Sequence, residues 1–237
     1  MKSHRGFSII EMMIVVVLLL IMMGAVFQMI TSALARSGTE QAKLDMFQEA
    51  REFMDQMSRD LRQAGYPSPR NIDPSAFTQN PFMNDHIGAA GIVKVDSGDL
   101  WFEGDMEGTG EVSVVRYHLD ASTSNGCPCL KRSQVPKING DPLTGQSSEV
   151  YQIEVQGVQN TNIFSAYTNG TAKSLPVDTT TAGGVTIAGV DTVQAMLTLR
   201  ATSIDPETRK KPVTTLVTTV RLNNCSQAAI GSKTSCQ

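Results

Sequence analysis

Hydrophobic residues are concentrated at the start of the chain. The run at 9–30 is 22 residues long, and 19 of these residues are apolar; the exceptions are Glu11, Gly24 and Gln28. No charged residue lies between Met12 and Ala35. As a helix these 24 residues would span about 36 Å, which exceeds the roughly 30 Å hydrocarbon core of a bilayer. The pattern therefore predicts a helix that can cross a membrane.

The pattern changes from apolar to amphipathic after Ala35. Apolar residues now recur at spacings of three and four with charged residues between them, which is typical of a helix with one buried face. The apolar stripe consists of Leu44, Phe47, Ala50, Met54, Met57, Leu61 and Ala64. No proline precedes Pro67, and Gly65 supplies a helix stop. We therefore predict one helix from Phe7 to about Ala64, roughly 87 Å long.

Short runs of alternating or β-branched residues follow Pro67 and predict strands. These runs are 91–95, 99–103, 111–119, 149–155, 192–200 and 214–222. We predict an antiparallel sheet with one polar face, and the long helix packed on its other face. Residues 121–148 and 160–189 are predicted surface loops. The predicted fold class is α+β, with a long N-terminal helix packed on an antiparallel β-sheet head.

Three interpretations compete for the apolar N-terminus. A cleaved secretory signal would have an apolar region of roughly 7–15 residues before its cleavage site, and this run is longer. A simple membrane anchor fits the length but leaves Glu11 unexplained, because a charge at membrane depth costs about 2.5–3.5 kcal/mol. The third interpretation accounts for this carboxylate and depends on the residues that precede it.

The first residues combine several features at fixed spacing. They are the basic Lys2 and Arg5, then Gly6, then Phe7, and Glu11 as the fifth residue counted from Phe7. This arrangement resembles the class III signal of type IV pilins and of type II secretion pseudopilins. The resemblance implies that prepilin peptidase cleaves the chain after Gly6 and that Phe7 is N-methylated. It also implies that the apolar helix is retained.

Glu11 is the predicted assembly residue. Cleavage after Gly6 would expose a cationic amine on Phe7, close to the carboxylate and at the edge of an apolar phase. Each charge is costly when buried alone, and the two compensate each other when they pair between packed helices. In pilin-like filaments the amine belongs to a neighbouring subunit, so the resemblance implies that Glu11 helps to set the axial register. The alternative is that Glu11 is solvated among lipid headgroups.

The end of the long helix carries a second resemblance. Residues 59–66 read RDLRQAGY, which resembles the ending typical of the PilW group of minor pilins. GspJ pseudopilins share the first part and usually lack the Ala-Gly-Tyr. Weaker PilW-like segments follow at 114–120, 129–132, 155–167 and 217–223. The implied division is a prepilin leader at 1–6, a transmembrane or filament-core half-helix at 7–35, an amphipathic half-helix at 36–65 and a β-rich head at 66–237.

Composition narrows the function classes. The chain has 237 residues and a net charge of −3, so no overall positive charge attracts nucleic acid or acidic membranes. A hydrophobic content of 41% excludes full disorder. The chain has three histidines, which argues against a zinc hydrolase or a histidine-based triad. Nucleotide-loop, esterase-elbow and His-Glu-x-x-His motifs are absent from the sequence. We therefore predict no catalytic residue, no metal site and no cofactor.

Two smaller groups of residues are candidates for a metal site or a catalytic site. The acidic residues Asp96, Asp99, Glu103, Asp105 and Glu107 are candidates for a calcium loop. Their spacing does not match the EF-hand pattern, so a solvated turn is the preferred interpretation. His86 and His118 have no catalytic partner in the sequence and are interpreted as ordinary head histidines.

Four cysteines are disulfide candidates, because the predicted head lies outside the cytoplasm. Cys127 and Cys129 flank a single proline, and Cys225 and Cys236 follow the last predicted strand. Four cysteines allow three connectivities. A bond from Cys127 to Cys129 would close a tight ring and is expected to be geometrically poor. A bond between Cys225 and Cys236 would close the tail into a loop, and crossed pairings would hold the tail to the inner segment. Two bonds are predicted, and the pairing is left open.

The preferred interpretation is a minor type IV pilin that resembles PilW, helps to initiate pilus assembly and lies in a tip complex. Expected partners are prepilin peptidase, other minor pilins, the major pilin, the inner-membrane assembly platform and membrane lipid before assembly. The expected location is the bacterial inner membrane with the head in the periplasm, and later the pilus at the cell surface.

Two alternatives remain beside the minor pilin. The first is a GspJ-like pseudopilin of type II secretion, and the second is a filament-displayed adhesin or DNA-uptake subunit. The only short basic runs are 131–132 and 209–211, so the sequence gives nucleic-acid binding no support. An enzyme is not expected.

Overall fold

The computed structural model describes residues 8–67, 88–123, 127–138, 143, 149–181, 185–201, 203–205 and 208–223. The chain divides into two compact units. The N-terminal unit consists of Met1–Asp45 and Thr202–Pro212, and the head unit consists of Met46–Ala201 and Val213–Gln237.

Helix α1 is formed by Ile9–Gln63, which is 55 residues without a proline. At its start, the carbonyl of Ser8 accepts hydrogen bonds from the backbone N–H groups of Glu11 and Met12 at 3.0 and 3.1 Å. At its end, Gly65 has a φ of 80°, a left-handed conformation that glycine adopts without strain and that commonly terminates helices. The prediction of one long helix is confirmed over this range.

The first sheet has six strands in the order β5-β4-β3-β2-β1-β8, and neighbouring strands are antiparallel. The strands are β1 (Ile92–Asp96), β2 (Asp99–Gly104), β3 (Ser113–Asp120), β4 (Cys129–Pro136), β5 (Gln152–Gln156) and β8 (Val177–Asp178). Consecutive strands from β1 to β5 are neighbours, so most of this sheet is a meander.

The second sheet has four strands in the order β10-β9-β6-β7, also antiparallel. Its strands are β6 (Phe164–Thr168), β7 (Thr171–Ala172), β9 (Thr192–Arg200) and β10 (Val213–Arg221). A single-turn helix, α2 (Val185–Ala188), lies between β8 and β9 in the chain.

The α+β class is confirmed, but the prediction of a single sheet is wrong. Four elements (β6, β7, β8 and α2) lie in the segment 160–189 that was expected to be a loop, and β4 lies in the expected loop 121–148. Most of these elements have two to five residues, which is too short for hydrophobic periodicity to distinguish from loop.

The core of the head unit lies between α1 and the two sheets. The Phe53 ring meets the Tyr117 ring edge-on at 5.5 Å, and the Phe102 ring stacks on Tyr117 at 6.1 Å. Of the predicted helical stripe, Ala50, Met54, Met57, Leu61 and Ala64 are buried. The stripe prediction was wrong for Leu44 and Phe47, which are exposed.

Candidate functional site

Among the described residues of the N-terminal unit, nothing covers the apolar part of α1. Its large hydrophobic side chains from Ile9 to Leu34 are all at least 49% exposed. By length and composition this is the one helix among the described residues that could cross a membrane. Contiguous apolar surface of this extent is typical of membrane-spanning or partner-binding segments, because a soluble monomer rarely exposes more than a few hundred Å² of it.

Glu11 lies in the first turn of this apolar segment. Its side chain is exposed, and no ion pair or side-chain hydrogen bond reaches it from residues 8–67 or from the rest of the described chain. The N-terminal end of a helix carries partial positive charge, which favours a carboxylate in the first turn. The geometry therefore presents an unpaired anion at the start of an apolar surface. Gly6 and Phe7 lie outside the described residues, so their roles stay predictions.

The helix is attached to the first sheet by a buried polar cluster around Asp60. Asp60 Oδ2 accepts a hydrogen bond from Tyr117 Oη at 2.7 Å and lies 3.0 and 2.9 Å from Nε and Nη2 of Arg132. Asp60 Oδ1 accepts a hydrogen bond from Gln56 at 2.7 Å. One carboxylate from the helix thus contacts side chains of both β3 and β4.

Burial and nearby charges both change the pKa values of residues in this cluster. Burial raises the pKa of Tyr117 well above 10, and the Asp60 carboxylate raises it further. The phenol therefore stays protonated and can donate to Asp60. Burial alone would lower the pKa of Arg132, but Tyr117 and Asp60 outweigh it and raise this pKa. The cluster is consequently a charged, hydrogen-bonded joint between the helix and the first sheet.

A second joint holds the C-terminal end of α1 against β2. The backbone N–H of Gly65 donates to the carbonyl of Glu103 at 2.8 Å, and that of Asp105 donates to the carbonyl of Tyr66 at 2.7 Å. The Glu103 carboxylate is completely buried and lies 2.7 Å from Lys137 Nζ. Lys137 also donates to the carbonyl of Gly88 at 2.8 Å. These contacts fix where the helix ends relative to the sheet.

The five acidic residues considered for calcium do not converge on one point. Glu103 binds Lys137, Asp105 accepts from the backbone N–H groups of Thr109 and Gly110, and Asp99 binds Arg116. The remaining two are Asp96, which caps the turn at Ser97, and Glu107, which lies 3.4 Å from Gln134. Asp96 and Asp99 both lie near Lys94 Nζ, at 4.0 and 3.3 Å, and the other three carboxylates have separate partners, so the five carboxylates do not converge on one cation position.

Asp99 instead organises a polar and aromatic patch on the first sheet. It accepts hydrogen bonds from Arg116 Nε and Nη2 at 2.8 and 3.0 Å and from Trp101 Nε1 at 2.9 Å. The Arg116 guanidinium lies 4.0 Å from the Trp101 ring centroid. His118 Nδ1 is farther from Asp99 Oδ1, at 3.5 Å. Burial alone would raise the pKa of Asp99, but the contacts from His118, Arg116 and Trp101 lower it well below 3.8.

Two of the four candidate cysteines lie within the described residues. Cys127 and Cys129 form a disulfide bond with each other, although that pairing was expected to be geometrically poor. The two Cα atoms lie 4.3 Å apart. Asp120 lies within 4.8 Å of both sulfurs but binds Lys131 at 2.6 Å, and bonded sulfurs are not thiolate ligands.

Cys225, Cys236 and His86 lie outside the described residues, so the second predicted disulfide stays a prediction. The basic pair Lys131 and Arg132 is engaged by carboxylates of the same chain. Sequence reasoning missed the joint at Asp60 because its partners lie 57 and 72 residues away. The available clue was a charged residue on the apolar side of an amphipathic helix, next to Leu61.

Comparison with known proteins supports the N-terminal assignment. Residues 1–27 match the family model described as the prokaryotic N-terminal methylation motif. No curated protein and no solved structure matches the chain. The motif supports a subunit of the type IV pilin or pseudopilin type. It implies processing by prepilin peptidase and assembly with other pilins, and the exposed apolar helix is consistent with membrane anchoring.

Proposed function

We propose that this chain is a minor type IV pilin of the PilW kind, a structural subunit that helps to start pilus assembly within a tip complex. The observation that carries the proposal is the exposed apolar segment of α1 with Glu11 at its start, inside the matched methylation motif. The apolar segment of α1 would therefore occupy two environments in succession. It is solvated by lipid before assembly and by helices of neighbouring subunits afterwards.

Glu11 is the residue that directs the transfer of this segment from lipid to the helices of neighbouring subunits. A carboxylate in hydrocarbon is costly, and a cationic N-terminal amine at Phe7 of a neighbouring subunit relieves that cost. Subunits that enter in the wrong axial position would leave both charges unpaired. The predicted cleavage after Gly6 therefore creates the cation that the assembly step needs.

The head is proposed to be a rigid structural module without an active site. Its joints at Asp60 and Glu103 are built from charged groups that satisfy one another in the described structure. His118, the histidine within the described chain, packs 6.0 Å from the Tyr151 ring beside Asp99 and Arg116.

The test is a clean deletion of the gene in its host, with sheared surface pili and secreted proteins assayed in parallel. We expect pili to be lost while secretion stays intact, and the full-length gene to restore pili. Loss of secretion with normal pili would replace this proposal with a GspJ-like pseudopilin. Normal pili that no longer bind a surface or take up DNA would point to an adhesin or DNA-uptake subunit.

Complementation with point variants then tests the role of Glu11. We expect Glu11→Ala and Glu11→Gln to restore pili poorly, although both proteins accumulate in the membrane. The matched control is Glu52→Ala, which removes an exposed carboxylate from the amphipathic part of the same helix. Equal complementation by all three variants would contradict the proposed role of the charge.

A further inference from the structure

The connection between β9 and β10 lies with the long helix rather than with the sheet whose strands it joins. Its residues Thr202–Pro212 belong to the N-terminal unit, together with Met1–Asp45. Within that unit, Asp205 Oδ2 lies 3.6 Å from Lys43 Nζ on α1, so an ion pair holds the connection to the helix. The described part of this connection, residues 203–205 and 208–212, is called the hairpin tip below.

The hairpin tip presents a run of three exposed basic side chains. Arg209, Lys210 and Lys211 are all exposed, and none of them forms an ion pair with a carboxylate among the described residues. Two backbone hydrogen bonds close the turn that carries the run, from Arg209 to the carbonyl of Asp205 at 2.8 Å and from Asp205 to the carbonyl of Lys210 at 3.0 Å. Ile204, in the same turn, is 60% exposed. Cations beside an exposed apolar side chain are typical of a segment that binds a membrane surface.

Acidic residues nearby do not cancel this positive charge. Residues 202–212 contain two acidic residues, Asp205 and Glu207, against the three basic ones. Asp205 is paired with Lys43, which also binds Glu40 at 2.7 Å. Arg36 is exposed on α1 and is the first charged residue after the charge-free stretch 12–35, so it adds a further cation to this unit. The chain as a whole has a net charge of −3, and the hairpin tip is therefore a local excess of positive charge.

The contact at Lys43 places the hairpin tip close to the membrane that α1 would cross. Lys43 comes eight residues after Ala35, the last residue of the charge-free stretch. Those eight residues of helix rise about 12 Å along the axis. The headgroup layer outside the hydrocarbon core is roughly 5–7 Å thick on each side. The tip therefore lies about 6 Å beyond the headgroups at most, within the Debye length of about 8 Å over which surface charge acts at physiological salt.

We propose that the hairpin tip binds the headgroups of anionic phospholipids while α1 is in the membrane. The tip would be a second membrane contact beside α1, and it would be lost when the subunit leaves the bilayer for the filament. Nucleic acid offers the same phosphate chemistry, but residues 202–212 contain no aromatic side chain on which bases could stack. The proposal rests on the membrane-resident stage of the proposed function, and it holds for a pilin and for a pseudopilin alike.

Site-specific photo-cross-linking of the full-length chain tests this contact. The photoreactive amino acid benzoylphenylalanine replaces Thr208, which is exposed in the hairpin tip, or Thr215, which is exposed on β10 and serves as the control. Each protein is reconstituted in vesicles of phosphatidylcholine alone or of equal parts phosphatidylcholine and phosphatidylglycerol. After illumination, mass spectrometry measures the yield of the covalent lipid adduct. We expect a strong adduct from position 208 in the mixed vesicles, and little from position 208 in phosphatidylcholine or from position 215 in either.

Charge variants supply the second arm of the experiment. Lys210→Gln combined with Lys211→Gln should lower the adduct yield at position 208 at least about fivefold in the mixed vesicles, because each Lys or Arg near an anionic surface favours binding by about that factor. The matched control is Lys173→Gln combined with Arg221→Gln, which removes the same charge from the head unit and should leave the yield unchanged. Raising the salt concentration to about 1 M should also lower the yield, because the Debye length falls to about 3 Å.

Three results would overturn the proposal. Equal adduct yields in the two kinds of vesicle, or no adduct in either, would show that the tip does not recognise anionic lipid. An adduct between position 208 and a second copy of the chain would make that copy the occupant. Displacement of the lipid adduct by an adduct with an added single-stranded oligonucleotide would assign the basic run to nucleic acid. Flotation of the protein with the vesicles after an alkaline wash measures the anchoring of α1 separately, so a failure of the tip contact is distinguishable from a failure of the membrane stage.

Discussion

At Asp60 a single carboxylate joins the long helix to two strands of the first sheet. It binds Tyr117 on β3 and Arg132 on β4 while remaining almost completely buried. Its desolvation is compensated by hydrogen bonds on both oxygens. A buried pair of this kind is costly to break, since the surviving partner keeps its own desolvation penalty.

Asp60→Asn should therefore destabilise the head by about 2–4 kcal/mol, because Arg132 would be left partly buried without its counter-ion. Asp55→Asn, which removes an exposed carboxylate from the same helix, should change stability by less than about 0.5 kcal/mol. Both are measured by urea unfolding in micelles, followed by the fluorescence of Trp101, the single tryptophan. Adding Arg132→Met to Asp60→Asn should recover part of the loss, and a further loss would show that the charge is not the cause.

Asp99 makes the stability of the head depend on pH in a defined direction. Its pKa in the folded head lies well below 3.8, because the contacts with His118, Arg116 and Trp101 outweigh burial. A lowered folded-state pKa contributes stability at pH values above the unfolded-state pKa, and that stability is lost as the pH falls through the folded-state pKa. The loss should therefore begin near pH 4 and grow as the pH decreases.

The corresponding variant is Asp99→Asn, compared with the unsubstituted chain at several pH values by circular dichroism in urea. We expect the difference in unfolding free energy to be largest near neutral pH and to shrink below about pH 4. Asp96→Asn, in the adjacent turn, is the matched control because its carboxylate lies 4.0 Å from Lys94 and does not contact Arg116. A difference for Asp99→Asn that stays constant from pH 7 to pH 3 would contradict this assignment.

Among the elements, the end of α1 and the end of β2 approach each other closely through their backbones. A Cβ atom at Gly104 would lie 2.6 Å from the carbonyl oxygen of Gln63, closer than side chains come to backbone atoms. The backbone hydrogen bond from Gly65 to Glu103 lies beside this contact. Helix and strand can therefore meet here only because position 104 has no side chain.

Gly104→Ala should destabilise the head by about 1–3 kcal/mol, because the helix end or the strand must shift. Gly38→Ala is the control, since nothing lies within 4 Å of its Cβ position and alanine is preferred in helices by about 1 kcal/mol. The stability of both variants is measured by the same urea unfolding experiment. Equal effects of the two substitutions would contradict the role assigned to the close approach at position 104.

The helix and most strands could be predicted from the sequence because their patterns are local. Helix α1 has long stretches of periodic or apolar residues and a glycine stop, and β9 alternates buried residues with partly or fully exposed ones over its whole length. The second sheet could not be predicted, since β6 belongs to it through pairing with β9, about 30 residues later. Pairing between strands that are distant in the sequence leaves no local pattern from which it could be predicted. The joint at Asp60 escaped prediction for the same reason.

At the scale of the whole molecule, the surfaces of the two units suit different environments. The N-terminal unit exposes an apolar helix surface that water solvates poorly, and the head unit buries its apolar residues around the charged joints. The three interpretations of the N-terminus predict different mature proteins. A secretory signal would be removed with the apolar run, a simple anchor would remain uncut, and a class III signal would lose only residues 1–6.

Mass spectrometry of the chain purified from host membranes distinguishes these products. We expect the mature chain to begin at Phe7 and to carry one added methyl group. Gly6→Val should leave residues 1–6 attached, so that no Phe7 amine is available to compensate Glu11. The protein should then accumulate in the membrane and be missing from sheared filaments. Ser3→Val, elsewhere in the leader, should be processed normally. A mature chain that lacks the apolar run, or an unsubstituted chain that keeps all six leader residues, would contradict the filament assignment, because either product separates the Glu11 carboxylate from the cation that its burial requires.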